Sequence, residues 1–293
     1  RWPMASAGLL SGETAVEQEV TLAGDLEPVD TIGGAKEGAR KLKRFLAHRL
    51  GSYAEIRNHP DEEVTSGLSP YLHYGHVGSH QIFMALTKQE NWKPDQLAST
   101  TKGQRQGWWN MSESAEAFLD QFVTWREVGL GEAFYNPKTY NSFEGIPNWA
   151  KESLDAHAKD AREHLYDRKT LEEAATHDEI WNAAQTQLRR EGVIHNYLRM
   201  LWAKRIMEWT KTPKRAAEWR VYLNDKYCLD GRDPNSYSGI FWCFGRYDRP
   251  WAPERPIYGR IRYMSSANTK RKLRLKEYLA KFGDAGLQQE LFE

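Results

Sequence analysis

The feature that most constrains this chain is periodicity. Past Gly34 its apolar residues recur at three- and four-residue spacings, and strand-like alternation never runs for more than a few residues. Ala35, Ala39, Leu42, Phe45, Leu46 and Leu50 set the pattern with basic residues between them, which predicts an amphipathic helix. Further helix starts are predicted at Ser69-Pro70, Ser79, Ser112, Thr176-x-x-Glu179 (a capping box) and Thr212-Pro213, each of which offers a hydroxyl to free first-turn amides. The spacing therefore predicts a mainly α fold. A helical body runs over 35–275, preceded by a linker or arm over 1–34 and followed by a tail over 276–293, with long loops over 91–111, 135–149 and 228–262. A 40% hydrophobic content is enough to fill a sizeable core, and no apolar run approaches the roughly 18 residues of a membrane span. The start lacks the basic-then-apolar pattern of a signal peptide, and it begins with Arg1, so a piece of a longer, soluble protein is expected. Cys228 and Cys243 form neither a CxxC pair nor a disulfide framework, which points to a reducing compartment and away from zinc.

Charge has to be read locally, because 41 Lys+Arg against 40 Asp+Glu leave a net of +1. Six acids face one basic residue in 1–34, whereas 249–274 holds eight Lys/Arg against Glu254 alone. The second stretch reads either as a phosphate-facing patch or as solvated surface. Twelve Trp beside 14 Tyr and 10 Phe exceed what a helical core needs and suggest stacking chemistry. Trp181 to Trp209 form two helical stretches broken near Glu191-Gly192, with Trp202 and Trp209 about 10.5 Å apart along one face. That distance suits an electron hop, and an aromatic core stripe fits the same spacing. Thr65, Ser66, Gly67, Leu68 and Ser69 put three hydroxyls before a helix start, which suits a phosphate or an ordinary N-cap. Arg199 lies amid apolar neighbours and needs a partner, which the polar stretches Asn224-Asp225 and Asp230–Asn235 can supply. Those stretches could bind a ring edge or simply satisfy themselves as turns. His73, His76 and His195 are not spaced as a metal site. No nucleophile motif is legible, and Glu127 and Glu144 show no acid–base pairing.

Five segments in order, TSGLSPYLHYGH (65–76), YNPKTYNSFEGIPNW (135–149), Trp181–Trp209, YLNDKYCLDGRDPN (222–235) and ERPIYGRIRYM (254–264), resemble the class II cyclobutane pyrimidine dimer photolyases of the photolyase/cryptochrome family. The resemblance covers 35–275 and implies the family's helical FAD domain without its N-terminal antenna domain. It implies FAD held by Tyr53 and Thr65–Ser69 at the phosphates, with Arg199 paired to Asp230 beside the ring system and Asp233 and Asn235 nearby. Asn224 or Asn235 would face flavin N5. Trp202, Trp181 and Trp209 match the family's electron-passing tryptophans, and Arg57, Asn58, Trp125, Met200, Trp242 and Arg262 match its lesion pocket and DNA wedge. The implied activity is light-driven dimer repair by a monomer acting on DNA that contains pyrimidine dimers, in a cytoplasm or nucleus, with no metal.

Two departures stand out. Gln121, four residues before Trp125, takes the place of an expected acid, so repair is expected to be slower or the lesion preference altered. Gly129-Leu130-Gly131 replaces a more polar helix continuation. A flavin photoreceptor that signals without repair, or a cofactor-free nucleic-acid module, are the competing readings on such a fold.

Overall fold

The computed structural model describes residues 4–13, 26–100, 104 and 106–283. Residues 14–25 of the expected arm, 101–103 and 105 of the first long loop and 284–293 of the expected tail lie outside them. The chain divides into two compact units, Arg1–Asp30 and Thr31–Glu293. Among the described residues the first contains one short helix, α1 (Ala7–Ser11), capped by the Ser6 hydroxyl and by Gly12 in the left-handed region.

The second unit is helical, and no strand occurs among the described residues. In chain order its helices are α2 (Ala35–His48), α3 (Tyr53–Ile56), α4 (Ser69–His73), α5 (Ser79–Gln89), α6 (Glu113–Leu119), α7 (Arg126–Tyr135) and α8 (Asn148–Ala156). They continue as α9 (Arg168–Glu172), α10 (Glu179–Glu191), α11 (Asn196–Trp209), α12 (Pro213–Tyr227), α13 (Pro234–Trp242), α14 (Ser266–Lys272) and α15 (Lys276–Phe282). None is long and apolar enough to cross a membrane. The caps are local chemistry: Ser112 accepts from Ala115 N and Thr212 from Arg215 N, as the sequence predicts. Gly192 ends α10 at φ 69°, a conformation that only glycine adopts without strain, so the predicted break falls there.

Three expectations are corrected. Asp178, not Thr176, caps α10 by accepting from Trp181 N, because a carboxylate one residue before the helix has better reach than a hydroxyl three before it. The expected loop 228–262 contains α13, which Asp233 caps and Pro234 starts, and whose Ile240 and Phe241 are buried. The expected tail begins with α15, whose Tyr278 and Phe282 lie one turn apart and bury against the core beside α10.

Two separate cores organise this unit. One is built from Leu42, Phe45, Leu50, Tyr53, Tyr71, Leu86 and Phe118 of α2 to α6. The other spans α8 to α15 around Trp181, Leu198, Trp202, Trp209, Phe241 and Tyr258. Full burial of side chains this large contributes roughly 1.5–3 kcal/mol each, so the two clusters hold their own halves. Between them runs a polar seam. Ser69 bonds to Asp230 across it, the His195 ring reaches the Arg57 carbonyl, and the Asp61 carboxylate accepts from Tyr278 N at 2.8 Å.

Candidate functional site

The seam is where polar groups converge. Arg199, on the second turn of α11, donates from Nη2 to Asp230 Oδ1 at 3.1 Å, and Ser69 Oγ donates to the other oxygen of the same carboxylate. Both partners of the ion pair are largely shielded, with side chains 24% and 13% exposed. Burial opposes both charges, yet each partner outweighs it: the Arg199 guanidinium is raised and the Asp230 carboxyl held below its ordinary range. His73 Nδ1 lies 3.5 Å from Asp233 Oδ2, so α4 touches the 230–233 turn twice. Cys228, 3.7 Å from Arg199 Nη2, is buried and its thiol is pushed up to about 12.

Around this pair stand the other expected ligand residues. Leu68 is buried and Thr65 and Ser66 half-buried, with Ser66 Oγ accepting from Leu68 N, while Gly67 and Ser69 are exposed. Tyr53 is buried in the first core, beneath the Arg57 guanidinium at 5.3 Å from its ring. Asn224 is 2% exposed, and its carboxamide donates to Ser236 Oγ at 2.9 Å and Asp225 Oδ1 at 3.0 Å. Asn235 is exposed and uses its backbone N–H on Asp233. Ser236 is a polar contact that the sequence reading missed, although its place two residues past a helix-starting proline was visible. The donor chemistry fits a dinucleotide coenzyme: Arg199 Nε is buried with no hydrogen-bond partner among the described residues, and the hydroxyl-rich segment 65–69 reaches the Asp230 carboxylate that Arg199 holds. Two cavities, of about 600 and 520 Å³, are lined by 95–100 with Asn110 and by Arg57, Gln104, Gln106, Ala117 and Asp120 respectively. Neither includes Arg199 or Asp230.

The three tryptophans form one buried ladder. Trp202 and Trp181 stack at 6.4 Å with planes 5° apart, and Trp181 meets Trp209 edge-on at 5.5 Å. Two of the indole N–H groups have hydrogen-bond acceptors, Trp181 Nε1 the Trp202 carbonyl and Trp202 Nε1 Gln185 Oε1. Beyond Trp209 lie Tyr166 and His177, at 5.5 and 5.3 Å, with the Tyr166 hydroxyl 2.6 Å from His177 Nδ1. Sequence spacing gave no sign of these two, because they sit on different segments.

Trp125 and Trp242 are brought together, their rings 5.5 Å apart and both half-buried. Trp125 ends a π-helical turn, Asp120–Trp125, in which the Gln121 amide nitrogen donates to Asp120 Oδ2 at 2.8 Å. Arg57 donates to the Ala117 carbonyl at 3.0 Å. His195 presents one ring nitrogen to the Arg57 carbonyl at 3.1 Å, and burial drops its pKa to about 4, so the ring is neutral and its Nε2 carries the proton. Met200 packs half-buried on the second core. Asn58 and Arg262 are exposed, and Arg262 stacks on Trp251 at 5.0 Å, as does Arg249 at 4.5 Å, not on the Trp125–Trp242 pair. Gly129 acquires a physical reason: a Cβ there would fall 2.7 Å from Asn235 Cα, so its absence lets α7 lie against the start of α13. Among the described residues nothing lies within 4 Å of a Cβ built at Gly131.

Similar proteins share this arrangement of sequence. The chain is 40% identical over 253 residues to the deoxyribodipyrimidine photo-lyase of Potorous tridactylus, matching 86% of this chain and 44% of that protein. It is 38% identical over 255 residues to the protein of that name from Methanothermobacter thermautotrophicus, matching 87% of this chain and 52% of that protein. The chain thus spans about half the length of the curated relatives it matches. No protein-family model matches it. In fold it resembles a class III photolyase from Agrobacterium tumefaciens (TM-score 0.59, 19% identity, 85% of this chain and 44% of that one). It also resembles a cryptochrome from Synechocystis sp. PCC6803 (TM-score 0.60, 15% identity, 88% of this chain and 48% of that one). The helical body, the order of its motifs and this identity over most of its length agree: the chain belongs to the photolyase/cryptochrome family.

Proposed function

We propose that this chain is the flavin-binding and lesion-handling part of a class II type DNA photolyase, which opens cyclobutane pyrimidine dimers in light. The observation that carries the reading is the buried Trp202–Trp181–Trp209 ladder, which starts on the same helix as Arg199, one turn from the Arg199–Asp230 pair. FAD would be held by Thr65–Ser69 at its phosphates and by Arg199, Asp230 and Asn224 at its ring system, and when bound it supplies a photoexcitable electron donor. Arg199 orients that group and balances its charge. The neutral thiol of Cys228 and the satisfied carboxamide of Asn224 keep a second charge out of the site. The tryptophan rings overlap closely enough to relay reducing equivalents inward without exposing the site to water.

DNA containing pyrimidine dimers would meet the exposed cations of the C-terminal segment, Arg249, Arg255, Arg262 and Lys270. A dimer pairs and stacks poorly, so swinging it out of the duplex costs less than extruding an intact pair, and Trp125 and Trp242 offer it aromatic walls. Stacking of this kind contributes about 1–3 kcal/mol per base. The chain acts as a monomer in this scheme.

A second reading, a flavin photoreceptor without repair, is favoured by Gln121, a neutral amide that has no proton to give the lesion. One experiment separates the two. FAD-loaded, chemically reduced protein is illuminated with dimer-containing DNA, and light-dependent loss of dimers is expected. Bound flavin with no loss of dimers would favour the photoreceptor, and a protein that takes up no flavin would leave only a nucleic-acid module.

A further inference from the structure

Asp120 is hydrogen-bonded to Gln121, and that pair restricts what the amide can read. A carboxylate only accepts hydrogen bonds, so the group that Gln121 turns toward Asp120 Oδ2, 2.8 Å away, has to be its NH₂. The amide cannot flip end for end without setting its own oxygen against a carboxylate oxygen. One N–H is then spent on Asp120, leaving Oε1 and the second N–H, side by side, as an acceptor–donor edge.

The backbone puts this edge where a base could meet it. In a π-helical turn, with about 4.4 residues per turn, positions four and five before Trp125 fall roughly 30–50° to either side of its direction. In an α-helix of 3.6 residues per turn, the fifth would lie about 140° away. Among the described residues Asp120–Trp125 is the one π-helical segment, and it sets Asp120 and Gln121 on the face of Trp125, which meets Trp242. Asp120 also lines the cavity of about 520 Å³ beside Arg57.

We infer that Asp120 is a positioning residue that locks the Gln121 amide in the orientation complementary to a thymine edge, and so makes the pocket select thymine over cytosine in the dimer. This rests on the reading of the Trp125–Trp242 pair as the lesion pocket. Thymine presents O4 as an acceptor beside N3–H as a donor: Gln121 Nε2–H donates to O4, and N3–H donates to Gln121 Oε1. Cytosine inverts both groups, so its amino hydrogens would face the Gln121 N–H and its N3 the Oε1. A free amide would answer by flipping. One held by Asp120 cannot.

The test is equilibrium binding in the dark, by fluorescence anisotropy, to duplexes carrying a thymine–thymine dimer, a freshly formed cytosine–cytosine dimer, or no lesion. Wild type is expected to prefer the thymine dimer over the cytosine dimer by about tenfold or more, the factor expected of one bidentate amide–base pair. Asp120→Asn keeps the volume and can hydrogen-bond the amide in either orientation. It is expected to bind the thymine dimer within a few-fold of wild type and to lose the preference, the ratio falling to within about threefold. Asp120→Ala, which leaves the amide free, is expected to lose it as well, and Asp120→Glu, which keeps a carboxylate, to retain most of it. A dimer-selective wild type that does not distinguish the two lesions, or whose preference survives in Asp120→Asn, overturns the inference while leaving the lesion pocket standing. A wild type that binds dimer and undamaged DNA equally overturns the pocket itself.

Discussion

Asp230 joins three parts of the chain through one carboxylate: Arg199 Nη2 donates to one oxygen at 3.1 Å, and Ser69 donates to the other. The carboxylate thereby ties α11, the helix of Trp202 and Trp209 in the second core, to the hydroxyl-rich start of α4, in the first core. Removing the charge should therefore strand a shielded guanidinium. Asp230→Asn is expected to lower unfolding free energy by about 3 kcal/mol, the low end for breaking a buried pair, as read from urea denaturation. Because the folded-state Asp230 pKa is depressed, its contribution is complete above the ordinary carboxylate range and disappears as pH falls through the folded value. The difference between wild type and variant should shrink in acid. A constant difference across pH would show that the ion pair does not provide it.

The tryptophan ladder separates two kinds of light chemistry. Trp202→Phe should slow photoreduction of oxidised bound flavin, followed by its absorbance under illumination, because it removes the rung that stacks on Trp181 at 6.4 Å. Repair by chemically reduced protein should remain nearly intact. Loss of both would mean that the substitution had opened a core cavity, which a Trp at 2% exposure makes a real cost.

Gln121→Glu places a second carboxyl 2.8 Å from Asp120, where two like charges cannot both ionise at ordinary pKa values. The pair should share a proton, with one macroscopic pKa raised above the carboxylate range. Dimer yield per photon is expected to rise in this variant at mildly acidic pH, where a proton donor is present. It should fall back as pH climbs through the raised value, whereas wild type shows no such step. A flat profile would place Gln121 away from the lesion.

Gly129 and Gly131 should respond oppositely to the same substitution. Gly129→Ala drives a methyl into the Asn235 backbone at 2.7 Å and is expected to cost about 1–3 kcal/mol, with α7 pushed off α13. Gly131→Ala meets open space in a helix interior and should stabilise by up to about 1 kcal/mol. Thermal unfolding of the two variants checks both signs.

Much of this architecture is readable from local chemistry. The caps at Ser112 and Thr212 and the break at Gly192 obey rules that act over three or four residues, and they fall where the sequence puts them. Competition between neighbours is harder to read: the Asp178 carboxylate reaches the first-turn amide of Trp181, while the Thr176 hydroxyl accepts from Asp178 N, before the helix begins. The helix Pro234–Trp242 carried its own signals, Asp233 and Pro234, but they were outweighed by the turn residues before them. The π-turn at Asp120–Trp125 differs from an α-helix by one step of hydrogen-bond register, which apolar spacing does not encode. At the site, Arg199–Asp230 follows from the need of a shielded cation for a partner. Ser236 beside Asn224 and Asp120 beside Gln121 depend on tertiary approach or helix register, and neither has a signature in composition.

The most direct test is a dark titration of the protein with FAD and, separately, with FMN, following flavin fluorescence and the visible absorption band. One FAD bound per chain, FMN held far more weakly, and FAD affinity reduced in Asp230→Asn are the results this structure predicts. A folded protein that stays colourless in saturating FAD, or that binds FAD equally well without Asp230, would contradict it.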